Sequence, residues 1–290
     1  MNERFIEWLL TNPHFSRRGV VHTPLKAAAA FGIGYSISET AKFIFPQDEK
    51  FGYFEDIDKK TKDLLSQFSP LAIAHKGGNS IKHLAISKDA HINYVEADIK
   101  SYRGKLSVTH DDNLPPPVID LGIRLLGIGR SVPLVAKIVE QSLANQQKLL
   151  LDLKGESSDS SDHVVKTVDK FGMLGRTTYT GNWTALDRIM KKTGKTSNLF
   201  YAIDNESQLF SFMGEQEMRQ AQGVSLNFTL AREDTINTLR MRGAQRVFVY
   251  GADYSYEILP ALEAGADAII TGNFAALELW SNKSREHFLV

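Results

Sequence analysis

The chain has 290 residues, of which 34 are Lys or Arg, 34 are Asp or Glu, and none is cysteine. That length accommodates one α/β barrel of about 250 residues together with an extension. The balanced charge lacks the basic excess of a nucleic-acid binder. The absence of cysteine excludes disulfides, thiolate chemistry and Cys-ligated zinc or iron–sulfur centres.

Residues 1–70 read as an N-terminal helical extension. Ser36, Ile37, Ser38 and Glu39 have capping-box spacing, opening a short helix that Pro46 ends. A charged amphipathic helix is expected over residues 56–68, closed by Ser69 and Pro70. The most apolar stretch, residues 25–45, is interrupted by Lys26, Glu39 and Lys42, so no spanning helix is expected. Arg17 and Arg18 ahead of it faintly echo a twin-arginine export signal, but a broken apolar stretch and no clear cleavage site argue against one. A cytoplasmic location is therefore expected. The extension is a candidate for peripheral membrane contact or for an oligomer interface.

From residue 71 short apolar runs recur, most of them followed by a helical stretch. They cover residues 71–75, 94–98, 149–153, 177–180, 199–203, 224–228, 247–250 and 268–271. Near-continuous apolar strands alternating with helices predict a parallel sheet covered on its faces. Eight such units predict closure into a (β/α)8 TIM barrel over residues 71–290. A further run, 106–110, follows a turn at Arg103, Gly104 and Lys105. Too few residues separate it from the second strand for a parallel crossover, so it reads as a hairpin arm. The polar stretch 156–162 reads as a loop leading into a helix from about His163.

Ionisable residues gather where the first strands end. His75 ends the first, Glu96 and Asp98 the second, His110 and Asp111 the hairpin arm, and Asp152 and Lys154 the third. In a barrel those ends face the active site. Residues two apart on a strand share a face, so Glu96 and Asp98 both project into the mouth. Three converging carboxylates repel one another, and a hard divalent cation, Mg²⁺ or Ca²⁺, removes the conflict. His75 and His110 then stand either side of a reacting group as base and acid. Taken singly, each feature is an ordinary hydrogen-bonded or solvated strand end; their order on neighbouring strands carries the argument.

His75-Lys76-Gly77, Glu96-x-Asp98, His110-Asp111, Asp152-Leu153-Lys154 and the closing 268–272 segment resemble the glycerophosphodiester phosphodiesterase family over about residues 72–273. The resemblance implies a barrel and a divalent metal, most simply Mg²⁺, on Glu96, Asp98 and Asp152. It also implies His75 and His110 as acid–base pair, with Lys154 on the substrate phosphate. Lys76 replaces the family's usual Arg, and a point charge there gives up bidentate phosphate contact. Asp152 stands for the usual Glu, and Thr271-Gly272 for Thr-Asp. Asp-Leu-Lys and the short loops are also similar to phospholipase D-type toxins, which release a cyclic phosphate. A small-molecule or lipid phosphodiester is the expected partner, and no nucleic acid.

Two readings compete with hydrolysis. One is a barrel that binds a phosphate or lipid headgroup without turnover; the other is a relative of the phosphoinositide-type phospholipases C. His83 and His91 read as helix-surface or loop residues, and Gly127-Ile128-Gly129 lacks the third glycine of a dinucleotide fingerprint. Asn182, Trp183, Asn227, Tyr250 and Asn273 are rim candidates without a role. Asp111 either orients His110 or caps the next turn.

Overall fold

The computed structural model describes residues 55–102, 105–108, 134–154, 158–194, 198–214 and 222–284. Residues 1–54 of the expected extension, with the Ser36 capping box, lie outside the described residues, as do His110, Asp111 and Gly127 to Gly129. Helix α1 (Lys59–Leu65) is shorter than the expected 56–68. Asp58 sets its start, accepting hydrogen bonds from the backbone N–H and hydroxyl of Thr61 at 2.9 and 2.8 Å.

The strands β1 (Leu71–Ala74), β2 (Tyr94–Tyr102), β3 (Lys105–Val108), β4 (Lys148–Lys154), β5 (Thr177–Gly181), β6 (Asn198–Ile203), β7 (Gly223–Asn227), β8 (Arg246–Tyr250) and β9 (Ala268–Thr271) form one sheet. β3 pairs antiparallel with β2, as a hairpin arm. The other strands run parallel in the order β1-β2-β4-β5-β6-β7-β8-β9, and β9 returns to β1, closing an eight-stranded barrel. Helices α2 (Ile81–Asp89), α3 (Val135–Ala144), α4 (Ser158–Lys170), α5 (Trp183–Thr193), α6 (Glu206–Gly214), α7 (Glu233–Met241), α8 (Ser255–Glu263) and α9 (Phe274–Ser284) complete the βα units. α4 begins at Ser158, ahead of the expected start near His163. The Ser- and Asp-rich stretch forms its first turns, where acceptors and negative charge are favoured, instead of a separate loop. Among the described residues no helix is long and apolar enough to cross a membrane.

Strand alternation separates two apolar layers. On β4, Leu149, Leu151 and Leu153 pack outward into the strand–helix core, while Leu150 faces the barrel interior. Ile73, Tyr94, Phe200, Phe248 and Ile270 fill that interior beside Leu150. Phe200 and Phe248 stack there with centroids 3.9 Å apart. The Tyr94 hydroxyl donates to Thr178 within the same layer. Burial raises the Tyr94 pKa well above the ordinary tyrosine value, so the phenol stays protonated. This apolar floor leaves the next inward positions, nearer the strand ends, for polar groups.

At the strand ends Glu55 ties the incoming chain to the barrel. Its carboxylate accepts from the Ser255 backbone N–H and hydroxyl, both at 2.9 Å, and from the Asn273 amide at 2.7 Å. Trp280 on α9 donates its indole N–H to the carbonyl of Leu65, 3.1 Å away, fixing α1 against the barrel.

Phe248→Ala should open a cavity in the interior layer and remove the stacked pair. A loss of about 3–5 kcal/mol is expected in denaturant unfolding.

Candidate metal and active site

Strands β2 and β4 and the residue after β1 supply the ionisable cluster. Glu96 and Asp98 project from β2 and are almost completely buried. Asp98 lies in register with Asp152 on β4, and Lys100 with Lys154. One carboxylate oxygen from each of Glu96, Asp98 and Asp152 falls within 4.8 Å of the others. His75, directly after β1, lines the same cavity as Glu96, Asp152 and Lys154; its volume is about 700 Å³. The structure thus brings His75, Glu96, Asp98, Asp152 and Lys154 together. Two further expected site residues are Lys76 and His110. Lys76 engages the cluster through its backbone, and His110 lies beyond the described end of β3.

The loop after β1 is shaped to hold these carboxylates. Lys76 adopts a left-handed conformation, φ 59°, which aims its backbone N–H at Glu96 Oε2, 2.6 Å away. His83 supports that turn, its Nδ1 lying 3.0 Å from the Lys76 carbonyl. Gly78 donates its N–H to the Glu96 carbonyl at 2.7 Å. A Cβ on Gly78 would come within 2.8 Å of the Ala97 Cβ, so only glycine allows this approach. Asn79 then holds Asp98 from both sides. It donates Nδ2 to Asp98 Oδ2 and accepts the Asp98 backbone N–H on Oδ1, both at 2.8 Å.

Gly181 plays the matching part across β4. It sits at φ 106°, and a Cβ there would lie 2.5 Å from Asp152 Oδ1. Any side chain at this position would push the Asp152 carboxylate out of the cluster.

The electrostatics show strain among the acids. Burial, followed by the charges of Asp98 and Asp152, holds the Glu96 pKa well above the usual carboxylate range, and the Lys76 N–H offsets only part of this. Burial also raises Asp152; Asp98 and Asp204 add to the shift while Lys154 opposes it. Burial works against the charge on Lys154, but Asp152 and Asp98 outweigh it and keep the ammonium protonated far above the ordinary lysine range. Lys154 lies 3.3 Å from Asp98 Oδ1 and pairs with Asp152 Oδ2. The cluster therefore already gathers positive charge, and its all-oxygen donor set suits a hard divalent cation.

The remaining rim residues divide by role. Asn182 caps α5, accepting from the Ala185 N–H at 3.1 Å. Trp183 lines the cavity while donating its indole N–H to the Ala202 carbonyl at 2.6 Å. Tyr250 lines the cavity and donates its hydroxyl to Asp204. Asn227 accepts from the Thr229 N–H at 3.1 Å, and Asn273 is buried behind β9. His91 occupies a turn with φ 59°. Sequence reasoning passed over Asn79 and Asp204. Asp204 directly follows β6, so the strand-end rule that selects His75 would also have found it. Asn79 carries no such signal, because its contact depends on the fold of its loop.

The architecture is a closed (β/α)8 barrel with an acidic mouth at the carboxyl ends of its strands, where catalytic groups sit in enzymes of this fold. Solved glycerophosphodiester phosphodiesterases share the barrel fold. One from Parabacteroides distasonis matches with a TM-score of 0.60 and 17% identity, over 75% of this chain and 98% of its own. A phosphodiesterase from Oleispira antarctica, solved with the product sn-glycerol-3-phosphate, matches with a TM-score of 0.59 and 16% identity, over 76% of this chain and 99% of its own. A glycerophosphodiester phosphodiesterase from Agrobacterium tumefaciens matches with a TM-score of 0.53 and 16% identity, over 74% of this chain and 99% of its own. No protein-family model matches the sequence, and no curated protein matches it.

Raised carboxylate pKa values set a pH dependence. A folded state that holds its protons more tightly than the unfolded chain loses stability as pH rises. In chelator, stability should fall as pH climbs from the ordinary carboxylate value of ~4 through the raised values of Glu96 and Asp152. Mg²⁺ should flatten that slope, adding about 2.7 kcal/mol at a hundredfold excess over its Kd. Glu96→Gln should flatten it in chelator and remove much of the Mg²⁺ effect. Thermal melts across pH, with Mg²⁺ and with chelator, measure all three.

Proposed function

We propose that the chain is a metal-dependent phosphodiesterase acting on a glycerophosphodiester or a (lyso)phospholipid-type phosphodiester. The observation that carries this is the convergence of Glu96, Asp98 and Asp152 beside His75 and Lys154 at the barrel mouth. The shared fold with solved glycerophosphodiester phosphodiesterases supports it, and so do the matching motifs of the first three barrel strands.

In this reading Glu96, Asp98 and Asp152 hold one divalent cation, most simply Mg²⁺, with Ca²⁺ the second choice. When bound, the ion neutralises charge developing on the phosphoryl oxygens. Lys154, now paired with Asp98 and Asp152, would add positive charge at the same face and contact the phosphate if those carboxylates held a cation. The backbone N–H of Lys76 fixes Glu96, and the Lys76 side chain is assigned to the outer phosphate edge. His75 and His110 move the protons. One imidazole takes the proton of the attacking oxygen, and the other protonates the departing alcohol oxygen.

Two nucleophiles fit this layout. Attack by water breaks one P–O ester bond and yields a phosphomonoester and an alcohol. Attack by a substrate hydroxyl yields a cyclic phosphate and the same alcohol. The rigid pairing of Lys76 and Asn79 with Glu96 and Asp98, and the room Gly181 leaves for Asp152, favour turnover over passive headgroup binding, because they preorganise the charged groups.

His75→Ala and His110→Ala should each lower kcat by about 10²–10⁴-fold while Mg²⁺ binding persists. Phosphorus NMR of the products distinguishes phosphomonoester from cyclic phosphate. Full turnover in either variant would exclude the proposed acid–base pair.

A further inference from the structure

The parallel strands of the barrel start at the end opposite the mouth, and the helices that return to them finish there. That amino-end face is basic. Lys148 and Arg246 open β4 and β8, Lys170 and Lys191 lie in the last turns of α4 and α5, and Arg242 caps α7. All five are exposed, and Lys170, Lys191, Arg242 and Arg246 form no ion pair among the described residues. Asp89, Asp169 and Glu263 are exposed at the same end and leave the balance positive. At the mouth end the exposed carboxylates Asp204, Glu206, Glu233 and Asp234 add to the buried trio. A chain that is neutral overall is therefore polarised along the barrel axis.

Helix dipoles account for part of this pattern, because cations are favoured at helix carboxyl ends. They do not account for Lys148 and Arg246, which open strands, where net dipoles are small. Nor do they account for Met241. It is 81% exposed, more than any other large apolar side chain among the described residues, and it stands between Arg240 and Arg242. An apolar side chain set among unpaired cations suits the headgroup layer of an anionic bilayer. A nucleic acid fits this face less well. The exposed aromatic rings, Phe210, Tyr254 and Tyr256, belong to the mouth-end halves of α6 and α8, so they give the basic face no stacking platform.

We propose that the amino-end face of the barrel is a docking surface for an anionic lipid bilayer, with Met241 entering the headgroup layer and the mouth turned to water. The lysines and arginines meet the anionic headgroups, each contributing about fivefold to binding. Docking by the opposite end is opposed by the carboxylates around the mouth. The surface lies apart from the carboxylate trio, and the inference does not depend on the phosphodiesterase reading.

The test is co-sedimentation of the full chain, in chelator, with vesicles of phosphatidylcholine alone and of two parts phosphatidylcholine to one part phosphatidylserine. The chain should bind the mixed vesicles and not the neutral ones, and should come off as salt rises from about 0.1 to 1 M. The combined reversal Lys170→Glu, Lys191→Glu, Arg242→Glu and Arg246→Glu should weaken binding at least about hundredfold with the thermal melt unchanged. Met241→Ser alone should weaken it about fivefold. The chain has no cysteine, so Met241→Cys and Phe210→Cys each carry a single environment-sensitive dye. Mixed vesicles should blue-shift the dye at position 241 and leave that at position 210 unmoved. This pair of labels decides the matter even if the fourfold variant fails to fold. Absent binding to the mixed vesicles, binding that survives the four reversals, or a blue shift at position 210 instead of 241 overturns the proposal. Tighter binding to duplex DNA than to the mixed vesicles overturns it in favour of a nucleic acid.

Discussion

Glu96, Asp98 and Asp152 are carboxylates buried close enough together that they cannot all carry charge without a cation among them. Water is excluded from Glu96 and Asp98, and after burial the charges of Asp98 and Asp152 raise the proton affinity of Glu96, while that of Asp98 raises Asp152. A fold that needed only stability would place apolar groups at these positions, as it does one layer below with Phe200, Phe248 and Leu150. The acidic layer is therefore a local cost that the barrel bears, and a bound hard cation would offset it.

The rest of the mouth is arranged around that cost. The Lys76 N–H and the Asn79 side chain satisfy lone pairs of Glu96 and Asp98 that would otherwise be orphaned. Gly181 leaves room for Asp152, and Lys154 bridges Asp98 and Asp152. These supports come from the loop after β1 and from β4 and β5, so the site depends on closure of the barrel rather than on any one segment. The same closure sets Asp204 and Thr180 facing the cavity.

Much of this was legible in the sequence because parallel barrel strands are apolar on both faces and read as short continuous runs. Leu149 to Leu153 is such a run, and the acid and the lysine that interrupt its end stood out against it. The two-residue spacing of Glu96 and Asp98 placed both on one face before any coordinates did. Asn79 was not legible. It reaches Asp98 only because Lys76 turns left-handed. Asp204 was legible by the rule already in use, because it directly follows β6. The α4 start was misplaced because Ser and Asp suit both a polar loop and the first turn of a helix. His110 and residues 1–54 of the extension lie outside the described residues, and their roles rest on motif and pattern alone.

The most direct measurement is anomalous diffraction from crystals equilibrated with Mn²⁺ as a stand-in for Mg²⁺. The account requires a single peak within about 2.0–2.6 Å of a carboxylate oxygen from each of Glu96, Asp98 and Asp152, with the Lys154 ammonium moved off Asp152. A map with no peak there, and Lys154 still seated between Asp98 and Asp152 at saturating Mn²⁺, would contradict it.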